Sequence, residues 1–194
     1  MNNPVLLATM VLATCLFLGA GCDRGSRSPA PAPDTSAPAV DTALLAFLSE
    51  ARALHHRADV EESRGNGAAA MGAMRRLVTL TLPPQGPKSP EVQEVLADAY
   101  ARLAELEIAS GNLVHAEKSL DDGFTHAPEA TYFRGHLMEV RGLWFEARAK
   151  AFADAGDAVS AGRARDEAVR TFDDAVRIQD QFIQRTLDGG AAPR

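Results

Sequence analysis

Between Thr42 and Asp188 the apolar positions recur at steps of three and four, and glycines and prolines cut the pattern into runs. Leu44, Leu48, Ala51, His55 and Ala58 share one helical face. They predict a first helix with Asp41 or Thr42 as N-cap, ending near Arg64 before the turn Gly65-Asn66-Gly67. Ala70, Met74, Leu77 and Val78 mark a second helix that stops before Pro83-Pro84. Ser89-Pro90-Glu91 is a helix start: a capping residue, a proline where no N–H is needed, and an acid in the first turn. The third helix carries Val92, Leu96, Ala99, Leu103 and Leu106 and closes at Gly111-Asn112. The fourth has Leu113, Ala116, Leu120 and Phe124 and reaches Pro128. Pro128-Glu129 is expected to open the fifth, with Phe133, Leu137, Val140, Trp144, Ala147 and Ala151 in register up to Gly156-Asp157. A long sixth helix, roughly 158–187, shows Ala161, Ala164, Ala168, Phe172, Ala175, Gln179 and Phe182. Asp166–Arg170 and Asp173–Arg177 stand at i,i+4 on its flank.

The three turns repeat. Gly65, Gly111 and Gly156 are 46 and 45 residues apart, and an alanine follows each by five residues, at Ala70, Ala116 and Ala161. A period near 45 residues with helices on both sides of the turn predicts an all-α fold of three antiparallel helical hairpins, stacked as a short solenoid. A compact six-helix bundle fits the same helices. Composition supports an all-helical chain: 46% of residues are apolar, many of them alanine, and only 6% are aromatic. The net charge of −6 argues against nucleic acid as a partner, because a basic face is needed to displace counterions.

The first 40 residues read differently. Val5–Leu18 is a run of 14 apolar or weakly polar residues, short of the roughly 20 that span a bilayer and suited to the core of a signal peptide. Gly19-Ala20-Gly21 supplies small residues, and Cys22 follows. This end resembles the cleavage site of bacterial lipoproteins, in which the peptidase cuts before a lipid-modified cysteine. Gly19 stands where that family usually has leucine, and the residues before the apolar run carry no Lys or Arg. The resemblance implies a signal peptide over 1–21 and a palmitate-type lipid on Cys22. It also implies an anchored protein of the bacterial cell envelope, with its body in the periplasm or outside the cell. Asp23 after the cysteine resembles an inner-membrane retention signal in enteric lipoproteins, and the choice between inner and outer membrane stays open. Residues 23–40 have prolines at 29, 31, 33 and 38 and almost nothing to bury. They form a tether with Cys22 (22–40) that reaches on the order of 50 Å if extended. The helical domain is expected over 41–188 and a flexible tail over 189–194.

Within the helical part, Tyr100, Leu103, Ala104, Ala116, Leu120, Gly123 and Pro128 fall at the spacing of tetratricopeptide repeats, which the stretch resembles. Small residues at 104 and 116 let two helices approach, while Leu103 and Leu120 fill the layer between them. Leu54, Ala58, Ala70 and Met74 match less fully, and Ala168, Phe172 and Ala175 match seven residues out of register with Gly156. The family period is about 34 residues, shorter than the 45 seen here.

Chemistry-bearing patterns are scarce. Both cysteines, Cys15 and Cys22, lie in the first 22 residues. The five histidines show no metal-ligand spacing beyond the pair His136 and Glu139, and neither a phosphate loop nor a nucleophile motif is present. Neither metal nor cofactor is expected, and no catalysis. Two functions remain: a non-catalytic interaction scaffold, or an accessory subunit of an envelope machine, pilotin-like or outer-membrane-assembly-like. A scaffold uses the concave face, and a docked subunit uses an apolar patch on the sixth helix near Phe182 and Ile183. The repeat resemblance places groove positions at Arg52, His55, Asp59, Glu62, Asp98, Ala101, Glu105, Glu146 and Lys150. Five of these are acidic, which favours a peptide or protein bearing Lys or Arg.

Overall fold

Local signals in the sequence set where each helix begins. Asp41 caps the first helix, α1 (Thr42–Ser63), its carboxylate accepting from Leu44 N at 3.0 Å. A computed structural model of the protein describes residues 41–189, which belong to one unit. The segments expected to be a signal peptide (1–21) and a tether with Cys22 (22–40), and residues 190–194 of the expected tail, lie outside the described residues. α2 (Gly67–Val78) starts at Asn66, whose side chain accepts from Ala69 N. A 3-10 turn over Gly86–Lys88 precedes α3 (Pro90–Ala109). α4 (Leu113–His126), α5 (Tyr132–Asp154) and α6 (Ala158–Gly189) complete the chain. Apart from that 3-10 turn every helix is α, and there is no strand among the described residues. The fold is all-α. None of these helices is long and apolar enough to cross a membrane.

Three details differ from the sequence reading. α5 opens at Tyr132 rather than at Pro128-Glu129, because Thr131 is the cap that accepts from Arg134 N at 3.2 Å, and residues 128–131 form the connection. Ser89 holds the N-cap position of α3, but its hydroxyl donates to Glu91 Oε2 at 2.6 Å instead of capping a backbone N–H. On α6, Arg170 pairs with Glu167 and Arg177 with Asp174, both at i,i+3 and 2.7 Å, so the i,i+4 pairs expected from the sequence are absent.

The turn glycines take a conformation that few other residues adopt. Gly65, Gly111 and Gly156 have φ of 74°, 77° and 81°, and no other described residue has positive φ. In each, the glycine N–H returns to a carbonyl three residues back, as in Gly111 N to Ile108 O at 2.9 Å. Consecutive helices therefore pack on each other across short turns: α1 on α2, α3 on α4, α5 on α6. The alanines five residues past these glycines are buried: Ala70 and Ala116 completely, Ala161 nearly so.

Packing between these pairs runs chiefly through α3, which also meets α1, α2 and α5, and α4 packs on α5 as well. One apolar cluster joins α1, α2 and α3 around Phe47, Met74, Leu77 and Leu96. A second joins α3, α4 and α5 around Ala101, Leu120, Leu137 and Trp144. Between the clusters lies a buried carboxylate. Glu107 on α3 is 2% exposed, accepts from Arg75 of α2 at 2.9 Å, and accepts from the Ser119 hydroxyl of α4 at 2.7 Å. Both of its oxygens thus find partners, as burial of a charge requires.

Candidate functional site

Helical spacing aligns charged side chains on one face of α1 and again on α3. His55, Asp59 and Glu62 stand at i, i+4 and i+7 on α1, and Asp98, Arg102 and Glu105 at the same steps on α3. The two rows interlock. Arg102 reaches across to Glu62 and to Asp59 Oδ1 (3.5 Å), while its other terminal nitrogen donates to Glu105 Oε2 at 3.0 Å. His55 Nε2 lies 3.7 Å from Asp98 Oδ2.

His136 of α5 closes the array from the other side. Its Nδ1 is 3.4 Å from Asp98 Oδ1 and its Nε2 is 3.6 Å from Glu105 Oε1. Nδ1 is buried and makes no well-directed hydrogen bond, so the contact with Asp98 is an ion pair held by proximity. The Asp98 carboxylate, then that of Glu105, outweighs partial burial and pushes His136 up to about 9. Burial dominates at His55 and lowers its pKa despite Asp98 and Asp59 nearby. Asp98 is lowered in turn, chiefly by His136. At Glu105 burial acts upward, but His136 and Arg102 together carry it below the usual carboxylate range. At neutral pH four carboxylates (Asp59, Glu62, Asp98, Glu105) face one guanidinium and one imidazolium, a balance of −2.

Beside this array is a pocket of about 460 Å³, lined among others by Arg52, His55, Asp59, Val95, Asp98 and Phe133. Glu91 and Glu94 add acid to its α3 wall, and Arg52 donates to His56 Nε2 at 3.4 Å. The surface is an acidic shelf over an apolar floor of Leu48, Ala51, Val95 and Phe133. Among the described residues it holds no nucleophile poised by a base, and no three His, Cys, Asp or Glu side chains are placed to hold a metal ion together.

Of the nine positions expected in a groove, six are here together: Arg52, His55, Asp59, Glu62, Asp98 and Glu105. Ala101 is not among the exposed ones. It is 0% exposed and belongs to the second apolar cluster, because one residue back from Arg102 turns its methyl toward α4 and α5. Glu146 and Lys150 are exposed on α5, ten and fourteen residues beyond His136, or roughly 15–20 Å along the axis. Lys150 pairs with Asp154 of its own helix at 2.5 Å. Neither makes an ion pair with the array among the described residues.

Sequence reasoning missed Arg102 and His136. Arg102 was open to it, as the one cation between two acids on an otherwise acidic face. His136 was hidden by the register. Its partners Asp98 and Glu105 precede it by 38 and 31 residues, whereas the turn glycines are 45 apart. Equating positions by their distance from the turn therefore points about ten residues too far along α5. No family model, curated protein or solved structure matches the chain.

Proposed function

We propose that the protein is a lipid-anchored lipoprotein of the bacterial cell envelope whose helical body is a non-catalytic scaffold for binding another protein. In this reading Cys22 carries the lipid, residues 23–40 hold the body off the membrane, and the helix pairs stack as a short tetratricopeptide-like solenoid. The observation that carries the reading is the shelf formed by side chains of α1, α3 and α5 together. Alternate helices contributing to one face is the arrangement by which helical repeats present a binding surface. The offsets of 31 and 38 residues between α3 and α5 bracket the family period of about 34, which supports the resemblance better than the turn spacing does. The acid excess favours a segment carrying Lys or Arg, with Val95 and Phe133 receiving its apolar side chains.

Asp98 and Glu105 both neutralise His136, so reversing their charge disturbs the array itself. Glu91→Lys with Glu94→Lys changes the same surface and leaves the array in place, since neither side chain pairs within it. The measurement is capture of envelope proteins by the full chain in mild detergent, with helicity recorded in parallel. The double variant is expected to lose a partner that the unsubstituted chain retains, and rising salt is expected to weaken that capture. Capture indifferent to both changes sinks the acidic-shelf reading. Anchoring is tested apart: Cys22→Ala is expected to release the protein from the membrane fraction or to block its processing. Unchanged anchoring and mobility refute the lipid.

A further inference from the structure

From Arg163 the sequence of α6 repeats every seven residues: RARDEAV, RTFDDAV, RIQDQFI. The second and sixth places supply the face buried on α5, as at Ala164, Ala168, Thr171 and Ala175. The other side of the helix has its own order. The seventh place gives Val169, Val176 and Ile183, which are 60%, 57% and 51% exposed. The fourth place gives Asp166, Asp173 and Asp180, and the first gives Arg163, Arg170 and Arg177, all exposed.

Seven residues are close to two turns, with a drift of about 20° per repeat, so each set forms a nearly straight column. The aspartate column stands about 40° round from the apolar one and the arginine column about 100°. β-Branched residues are mediocre helix formers, and three at strict spacing on the solvent side contribute nothing to packing on α5. The exposed ion pairs Glu167–Arg170 and Asp174–Arg177 are of the weak surface kind. Asp166, Asp173 and Asp180 have no ion-pair partner among the described residues.

We propose that this face of α6 pairs with the same face of a second copy of the chain, antiparallel, about a two-fold axis near residue 172. The charges are complementary to themselves only in that direction. Antiparallel pairing sets Arg163 beside the second copy's Asp180, Arg170 beside its Asp173, and Arg177 beside its Asp166, each contact occurring twice. The same register, within two residues, sets Val169 beside the second copy's Val176. A perpendicular two-fold axis also brings like flank to like flank, so the apolar columns meet on one side and the charged columns on the other. Parallel pairing does the opposite: it lines aspartate against aspartate and turns the apolar flank toward arginine. No residue of the acidic shelf lies on α6, so this pairing stands whether or not the shelf binds a partner.

The test uses the full chain in mild detergent, with mass from sedimentation equilibrium. The unsubstituted chain is expected to be a dimer. Asp166→Arg, Asp173→Arg and Asp180→Arg together are expected to abolish it, as are Arg163→Asp, Arg170→Asp and Arg177→Asp together. Mixing the two triple variants is expected to restore a one-to-one dimer. Val169→Glu with Val176→Glu offers a second route to the monomer, should either triple variant lose helicity. Orientation is read by oxidation: Asp173→Cys is expected to cross-link to itself above the background of Cys15 and Cys22, and Asp166→Cys is not. A monomeric unsubstituted chain overturns the proposal. So does a dimer that survives the substitutions, a mixture that fails to pair, or efficient self-cross-linking of Asp166→Cys.

Discussion

α3 and α6 are both long amphipathic helices, yet they are held in opposite ways. α3 packs on α1, α2, α4 and α5, and its residues enter both apolar clusters. α6 packs on α5 and contributes to neither cluster. α3 buries nine of its 20 residues, including Val92, Leu96, Leu103 and Leu106, whereas α6 buries six of 32, four of them alanine. Burial yields about 25 cal/mol per Å² of apolar surface, so a face of alanines contributes far less than a face of leucines. What α6 has instead is closeness. A Cβ on Gly142 of α5 would meet Phe172 at 2.5 Å, and one on Gly135 would meet Gln179 at 2.8 Å, so these glycines let the two helices nearly touch. One helix is fixed by volume on all sides, the other by a single tight seam.

The contrast is broken most forcefully from the α3 side. Leu96→Ala removes a side chain that is 3% exposed in the first cluster and is expected to cost about 2–5 kcal/mol, measured by urea unfolding. A cost below 1 kcal/mol would mean that the centre of the fold is loosely packed. Next comes the seam. Gly142→Ala is expected to cost about 1–3 kcal/mol, since the Phe172 ring must move away from the added methyl. Hydrogen exchange is expected to accelerate in α6 before α3, and uniform acceleration would show that α6 is not a separate unit. The third effect lies at the junction of α1, α3 and α5. His136 has a folded pKa of about 9 against 6.5 for the free side chain. Its contribution to stability is fully present below pH 6.5 and declines as pH rises through about 9. His136→Gln is expected to remove that alkaline decline, and NMR titration of the ring near 6.5 in the folded protein would refute the paired state.

How much of this was legible in the sequence depends on the range of the interaction. The helices and their turns follow from local chemistry: Asp41 and Asn66 as caps, Gly65, Gly111 and Gly156 at positive φ, prolines between. The start of α5 was misplaced by a few residues, because Pro128 and Thr131 both offer a start and only the second supplies a capping oxygen. The shelf was readable where it lies within one helix. His55, Asp59 and Glu62, or Asp98 and Glu105, are set by spacing alone. Which residue of α5 faces them is a matter of how far one helix slides past its neighbour, and packing decides that. Glu146 and Lys150 were displaced for that reason, and His136 was overlooked for the same one.

The carboxylate of Glu107 has a consequence for how the chain acquires this shape. Its oxygens are satisfied by Arg75 from before the third helix and by Ser119 from after it. A stack of independent helix pairs can zip up from either end, each pair stable before the next arrives. Here the middle pair, formed alone, leaves Glu107 with Ser119 but without the Arg75 guanidinium that offsets its burial in the full fold. The first two pairs are therefore coupled through Glu107, and neither satisfies that carboxylate fully without the other.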